Sequence, residues 1–284
     1  MAILLLITGT ICSSLQSILR REYNNKTGGG IYAFSAMAVF FAAIFFFVKG
    51  GCKIGFDGGF IGYSLLFALS YTAATVGTTI AIKIGPLGLT AVFGTMSLAI
   101  SALYGILVLG EPCDFWVILG VILIIVSLSL VNYTKSGEEK KISFKWFFWV
   151  LLSALGNGMS SILQKLQQIN CAPETKENFM LIALIISGAI MLTISIATER
   201  KLLAHSLKKG FLYYATTGLT NGYLNLTTIL LVGLLPMAVT FPVISAGSML
   251  ITVVCSVVFY KEKLNTQQII GVILGVGAII ALSI

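Results

Sequence analysis

The sequence has few charged residues: lysine, arginine, aspartate and glutamate together make up only 10% of its 284 residues. Soluble globular domains typically carry about 25% charged residues, so a water-soluble globule is excluded. Hydrophobic residues make up 57% of the chain, in runs long enough to cross about 30 Å of hydrocarbon as helices of about 20 residues. The chain is therefore predicted to be an all-α integral membrane protein.

Residue types that bind metals or perform hydrolysis are also scarce. There is one histidine, His205, and the five cysteines form no C-x-x-C pair, so neither a metal site nor a cofactor is expected. All ten acidic residues fall in connections or at the ends of apolar runs. Without an intramembrane acid pair or an H-E-x-x-H motif, the protein is predicted not to be an enzyme.

Ten apolar runs of about membrane-spanning length follow one another along the chain. They cover residues 2–19, 31–48, 59–82, 87–110, 115–133, 145–163, 178–198, 211–234, 236–259 and 267–284. The first lacks a basic region and a cleavage site, and is expected to be a retained helix rather than a signal peptide. The net charge of +8 comes from short connections beside these runs, where basic residues orient membrane proteins. It indicates contact with the lipid bilayer and not with nucleic acid.

The chain is internally duplicated. The segment EPCDFWVILGVIL, residues 111–123, matches EKLNTQQIIGVIL, residues 262–274, with Glu and Gly nine residues apart in both. Further matches at similar offsets align the rest of the two halves, for example Ser161–Lys165 with Ser17–Arg21 at an offset of 144. Fixed-offset similarity predicts two five-helix repeats, 1–134 and 145–284. Because five is odd, the second repeat must be inverted in the membrane relative to the first.

These features resemble the EamA-type family of the drug/metabolite transporter superfamily. The resemblance rests on two five-helix halves, each ending in a Glu-x8-Gly segment that contains Glu111 and Gly120 or Glu262 and Gly271, and on a Gly-Pro or Leu-Pro step at 85–86 and 235–236. It implies a transport role and two inverted repeats. Small multidrug members of the superfamily carry a glutamate within the first helix, whereas this chain has serines and Gln16 there.

Neutral polar residues recur at helical spacing in six runs, the first, third, fourth, sixth, eighth and ninth, which predicts a polar cavity lined by these six. Small residues such as Ser97 and Ser101 are equally explained as helix-packing residues. The side-chain amides bring several donors and acceptors each, which tight packing satisfies poorly, and both interpretations stay open for them. The predicted substrate-binding residues are Ser13, Gln16, Tyr71, Thr75, Asn157, Gln164, Asn221, Asn225 and Ser245.

Several residues near helix ends have a structural and a functional interpretation. Glu111 and Glu262 are expected to cap or pair locally, and a gating role is the alternative. Arg20 and Lys165 are interpreted as anchors at the membrane surface in preference to gates. Pro242, six residues into its run, is expected to kink the helix and mark a binding site.

Inverted repeats are typical of secondary transporters, so the predicted function is movement of a small neutral or zwitterionic metabolite by alternating access. A proton-coupled multidrug or metabolite exporter is the alternative. A channel is less favoured because it would normally show rings of charge or filter carbonyls. The expected location is a plasma membrane, such as the bacterial inner membrane, and a homo-oligomer is possible.

Two arguments disagree on orientation. Odd-numbered connections carry fourteen lysines and arginines and even-numbered ones carry four, which places the odd set in the cytoplasm and both termini outside. The family resemblance implies both termini inside, and we give it the greater weight. Cys52, Cys113 and Cys171 all fall in even-numbered connections, so their labelling can show which side of the membrane these connections face.

Overall fold

The computed structural model describes residues 1–53, 55, 59–85, 87–132, 143–261 and 264–282. In these ranges all regular structure is helical, as the composition predicts. The helices are α1 (Ala2–Thr27), α2 (Ile31–Lys49), α3 (Phe60–Ile84), α4 (Leu87–Leu107), α5 (Phe115–Asn132), α6 (Phe144–Asn170), α7 (Lys176–Thr198), α8 (Arg200–Lys209), α9 (Phe211–Leu234), α10 (Met237–Tyr260) and α11 (Thr266–Ala281), with a short 3-10 turn at Pro173–Thr175 before α7.

A helix overlaps each of the ten predicted spans over its described residues, and α8 is an additional helix. Two helices continue well past their apolar part: α1 ends at Thr27 and α6 at Asn170, where the sequence analysis placed the ends at 19 and 163. Polar side chains sustain these extensions, as in the ion pair between Glu22 and Lys26, four residues apart on α1. Gly28, with a left-handed φ of 60°, then ends α1, a conformation that glycine adopts without strain.

Among the described residues, six helices are long and apolar enough to cross a membrane. They are Ala2–Thr27, Ile31–Lys49, Phe60–Ile84, Phe144–Asn170, Pro173–Thr198 and Met237–Phe259. Three shorter apolar helices, Phe93–Leu107, Phe115–Val131 and Thr266–Ala281, accompany them. Helix α9 is 24 residues long but includes five threonines and two asparagines. The fold is thus an all-helical one with several spans, and ten spans remain a prediction.

The chain folds into two compact units. The first comprises Met1, Ile3–Thr72 and Leu163–Gly233, and the second comprises Ala2, Ala73–Ile162 and Leu234–Ile284. Each unit contains segments from both sequence halves, so the compact units differ from the predicted repeats. A buried apolar cluster lies in each, around Phe46, Phe179 and Leu184 in the first and around Ile124 and Met249 in the second.

In the first unit, α2 and α7 pack side by side and antiparallel. A Cβ placed on Gly50, just after α2, would lie 3.5 Å from the Cβ of Glu177 at the start of α7. At the other end, the Glu199 carboxylate that follows α7 accepts hydrogen bonds from the first N–H groups of α2, including that of Tyr32 at 3.0 Å. The predicted second helix of one repeat thus packs against the second helix of the other.

The second unit pairs α5 with α11 in the same antiparallel way, through two glycines. A Cβ on Gly120 would lie 3.3 Å from the carbonyl oxygen of Ala278, and a Cβ on Gly271 would lie 2.9 Å from that of Ser127. Residues 120 and 271 differ by 151, and so do 127 and 278. The two contacts are therefore equivalent under the repeat offset, as expected when a two-fold axis relates the partners.

Helices α4 and α10 also pack together, and Glu111 links their ends. Its Oε2 accepts a hydrogen bond of 2.7 Å from the N–H of Met237, the first residue of α10. Glu111 thus caps a helix, as expected, but its partner is the start of α10, distant in sequence, and not a local one; Glu262 and Pro86 lie outside the described residues. Helix α10 stays helical on both sides of Pro242, and the kink expected there stays a prediction.

Candidate substrate-binding site

Four side-chain amides form a continuous hydrogen-bonded chain in the first unit. Gln164 on α6 donates through Nε2 to Oδ1 of Asn225 on α9 at 3.1 Å. Asn225 in turn donates through Nδ2 to Oδ1 of Asn221, one turn earlier on α9, at 3.0 Å. Asn221 donates through Nδ2 to Oε1 of Gln16 on α1 at 3.0 Å. We call these four residues the amide chain; the sequence analysis had predicted all four as site residues.

Both ends of the amide chain have an unused polar atom. In the described part of the protein, Oε1 of Gln164 and Nε2 of Gln16 are buried and have no hydrogen-bond partner. Only 5% of the Gln164 surface and 7% of the Asn225 surface are exposed. A buried polar group without a partner costs about 1–3 kcal/mol. Native proteins keep such groups rarely, and each calls for an explanation.

The amide chain has a direction, because every NH₂ group in it points toward the next carbonyl. It begins with an open acceptor at Gln164 and ends with an open donor at Gln16. The aligned amide dipoles add, so the Gln164 end is partially negative and the Gln16 end partially positive. Hydrogen bonds in such a row also polarise and strengthen one another.

Two further side chains lie at the Gln16 end. The Tyr71 hydroxyl on α3 interacts with the Asn221 side chain and lies near the Arg20 guanidinium. Arg20 is one turn beyond Gln16 on α1, which puts the two side chains on one helical face, and its guanidinium is 5.9 Å from the Phe34 ring centroid. A positive charge therefore stands where the amide chain already has its donor end. The sequence spacing already places Arg20 on this face, although Arg20 was interpreted there as an anchor.

The remaining predicted site residues are not members of the amide chain. Ser13 is half-buried on α1, about one turn before Gln16. Thr75, Asn157 and Ser245 belong to the second unit. Asn157 is exposed and its Nδ2 donates to the carbonyl of Ser153 on the same helix at 3.2 Å. For these residues a substrate contact stays a prediction.

Lys165, next to Gln164, has a specific structural task. Its Nζ donates to the carbonyl oxygen of Val232, in the last turn of α9, at 2.7 Å. In a continued helix that carbonyl would bond the N–H of residue 236, but residue 236 is proline and has none. A cation is also the favourable charge at a helix C-terminus. Lys165 thus fixes the end of the helix that presents Asn221 and Asn225.

Residues 199–210 fall between two predicted spans, and the contacts that Glu199 and α8 make were not predicted from the sequence. The Glu199 carboxylate bonds three N–H groups of the first turn of α2, at 3.1, 3.0 and 3.3 Å. Ser206 on α8 accepts from the Gly30 N–H at 2.8 Å, and His205 Nε2 lies 2.8 Å from the Thr27 carbonyl oxygen. The leucines of α8 at helical spacing were the sequence signal for this helix.

The fold and composition define a multi-pass membrane protein, and comparison with known proteins identifies its class. The model of the EamA-like transporter family matches residues 144–284. Residues 144–284, the second predicted repeat, thus match this family of drug/metabolite transporters, which confirms the resemblance inferred from the sequence. Family members are membrane transporters rather than enzymes. No curated protein matches the chain significantly.

Solved structures add evidence on the fold. One of them, titled only "Crystal structure of protein", superposes with a TM-score of 0.80 at 12% sequence identity, over 99% of this chain and 95% of that chain. At this identity the similarity establishes a shared fold over nearly the whole chain. It carries no information about the transported compound.

Proposed function

We propose that the protein is a secondary transporter that moves a small neutral or zwitterionic metabolite across the plasma membrane by alternating access. In this proposal the two repeats, 1–134 and 145–284, contribute five spans each in opposite orientations. Helix α8, with Arg200, Lys201, Lys208 and Lys209, lies outside the ten spans at the membrane surface, where basic residues favour anionic headgroups.

The observation that carries the proposal is the packing of counterpart helices. Helix α2 packs antiparallel to α7, and α5 packs antiparallel to α11 through contacts that repeat at an offset of 151. A two-fold relation between inverted repeats predicts such reciprocal contacts. Repeats of this kind can exchange conformations and so expose one site to either side in turn.

The chemistry of the candidate site supports a substrate that needs no anionic partner from the protein. The amide chain is neutral, Arg20 is a cation, and all ten acidic residues of the sequence lie outside the apolar parts of the predicted spans. Proton-coupled exporters need a titratable group within the membrane, which intramembrane acids commonly supply. Facilitated exchange is therefore favoured over the alternative, a proton-coupled multidrug exporter.

Counterflow in proteoliposomes tests the proposal. Candidate metabolites are first ranked by the thermal stabilisation of the purified protein, since a ligand that binds only the folded state raises its stability. Uptake of the radiolabelled best binder should saturate and should accelerate when the vesicles are preloaded with the unlabelled compound. A channel would give neither saturation nor acceleration. Dependence of uptake on an imposed pH gradient would favour the proton-coupled alternative.

A further inference from the structure

The amide chain is complete in its interior and incomplete at its two ends, and this pattern indicates what it binds. Its inner bonds, between 3.0 and 3.1 Å, satisfy Asn221 and Asn225 within the protein. A chain that served only to hold α1, α6 and α9 together would be expected to have its ends satisfied as well. In this structure the two open atoms are of opposite kind, an acceptor on Gln164 and a donor on Gln16.

We propose that the amide chain is a polarised binding subsite for a dipolar ligand, with a carboxylate at the Gln16 end and an ammonium group at the Gln164 end. This inference rests on the proposed transport function and names its substrate class and orientation. The carboxylate accepts a hydrogen bond from Nε2 of Gln16, and the ammonium donates to Oε1 of Gln164. In this orientation the dipole of the ligand lies antiparallel to the summed amide dipoles, which is the favourable arrangement of two dipoles side by side.

Charge at the Gln16 end supports the same orientation. Arg20 lies one turn from Gln16 on α1 and near Tyr71, which interacts with Asn221. Arginine binds carboxylates strongly because its guanidinium offers several donors in a planar arrangement. A purely cationic ligand would meet repulsion at this end, and a purely anionic one would leave the Gln164 acceptor unsatisfied. The subsite thereby selects against both.

The test uses the purified full-length protein and matched series of small probes. The zwitterions are β-alanine, γ-aminobutyrate and ε-aminocaproate; the monopolar controls are the corresponding carboxylates, propionate, butyrate and caproate, and the amines propylamine, butylamine and hexylamine. We expect at least one zwitterion to raise Tm while its two monopolar counterparts do not. Equal shifts for all three compounds, or no shift with any zwitterion, would overturn the proposal.

Near-isosteric variants then assign the ends. Gln16→Met and Gln164→Met should each weaken binding of the effective zwitterion about tenfold or more, the loss expected for one hydrogen bond to a charged group. Gln168→Met is the matched control, because Gln168 is on the same helix as Gln164 and its Nε2 bonds Gln167 instead. Unchanged affinity in both end variants, or an equal loss in the control, contradicts the assignment.

A negative charge introduced at the Gln16 end provides a gain-of-function readout that misfolding cannot mimic. Gln16→Glu replaces the donor with an anionic acceptor, so the diamines putrescine and cadaverine should now raise Tm and the zwitterion should lose its effect. If the preference of this variant stays with zwitterions, the proposed orientation is wrong. Counterflow separates this proposal from the transport proposal. If Gln16→Met and Gln164→Met transport as the unaltered protein does, the protein is a transporter but the subsite proposal is wrong. If zwitterions bind specifically but show no counterflow, the subsite stands and the transport proposal is wrong.

Discussion

Ser127 on α5 donates a hydrogen bond of 2.6 Å from its hydroxyl to the main-chain carbonyl of Gly271 on α11. Gly271 permits this contact because it has no side chain between the two backbones. In hydrocarbon, helices gain little by burying apolar side chains against each other, so close backbone approach and interhelical hydrogen bonds become the main attractions. The α5–α11 seam is therefore expected to respond strongly to small changes in volume.

Gly271→Ala should destabilise this seam. The added Cβ would lie 2.7 Å from Cγ2 of Val131 and 2.9 Å from the carbonyl oxygen of Ser127, and a backbone oxygen cannot rotate away. We expect the free energy of unfolding to fall by about 1–3 kcal/mol, measured as a lower Tm in detergent. Gly277→Ala is the control on the same helix, because its Cβ would meet nothing within 4 Å. Equal losses in the two variants would contradict close packing at Gly271.

Glu111 should stabilise the start of α10 from a distance of 126 residues in sequence. Glu111→Ala leaves the Met237 N–H without its carboxylate and is expected to cost about 0.5–2 kcal/mol, as other helix caps do. Glu111→Gln keeps an oxygen acceptor but loses the favourable charge at a helix N-terminus, so its Tm should fall less. The exposed Glu174 offers a control in Glu174→Ala. If that variant and Glu111→Ala lose the same stability, capping is not the role of Glu111.

The sequence predicted the helices better than their ends. Apolar runs located ten helices, but α1 and α6 continue through polar residues that a hydropathy pattern assigns to connections. Helix α8 was missed for the same reason: its six polar residues, including Arg200 and Lys209, outweigh its leucines in composition. Its position is stabilised by contacts with Thr27 and Gly30, which are more than 170 residues away in sequence and leave no local signal.

The members of the amide chain were predictable, and their pairing was not. Amides at helical spacing in apolar runs indicated Gln16, Gln164, Asn221 and Asn225, because such groups are costly in lipid. Which amide bonds which depends on packing between helices, with partners 205 residues apart for Asn221 and Gln16 and 61 apart for Gln164 and Asn225. The open ends of the amide chain emerge only from these pairings.

Asn221→Leu should impair transport more than folding. Asn221 joins the two halves of the amide chain, so leucine interrupts the row of dipoles while preserving side-chain volume and apolar packing. We expect transport in proteoliposomes to fall by at least tenfold while expression changes little and stability falls by no more than about 1–3 kcal/mol, the cost of a buried unpaired polar group. Thr220→Val is the neighbouring control, since the Thr220 hydroxyl bonds carbonyls of its own helix, those of Thr216 and Thr217. Parallel loss of expression and activity in Asn221→Leu would instead indicate a packing role.

Cysteine labelling decides between the two predicted orientations. Single-cysteine variants that retain Cys52, Cys113 or Cys171 are treated with a membrane-impermeant maleimide. If both termini are cytoplasmic, none should react in intact cells and all should react after lysis. Labelling before lysis would support the orientation derived from the charge count.

Reaction rates provide an internal check on this labelling. Cys52 and Cys113 are exposed, whereas Cys171 is half-buried, and burial raises the pKa of the Cys171 thiol. Because the thiolate is the reactive form, Cys171 should react more slowly than the other two at neutral pH. Its reaction rate should increase as the pH rises. Equal rates at all three positions would contradict the described environment of Cys171.

Inversion of the two repeats is tested most directly by labelling matching positions in the two halves. Cys52 follows the second helix of the first repeat, and the exposed Lys208 follows the second helix of the other. In a background without other cysteines, Cys52 and Lys208→Cys are treated with the impermeant maleimide in right-side-out and in inverted vesicles. Inverted repeats predict that each position reacts in only one of the two vesicle preparations, and that Cys52 and Lys208→Cys react in opposite preparations. Reaction of both positions from the same side would contradict inverted repeats and the alternating-access mechanism that depends on them.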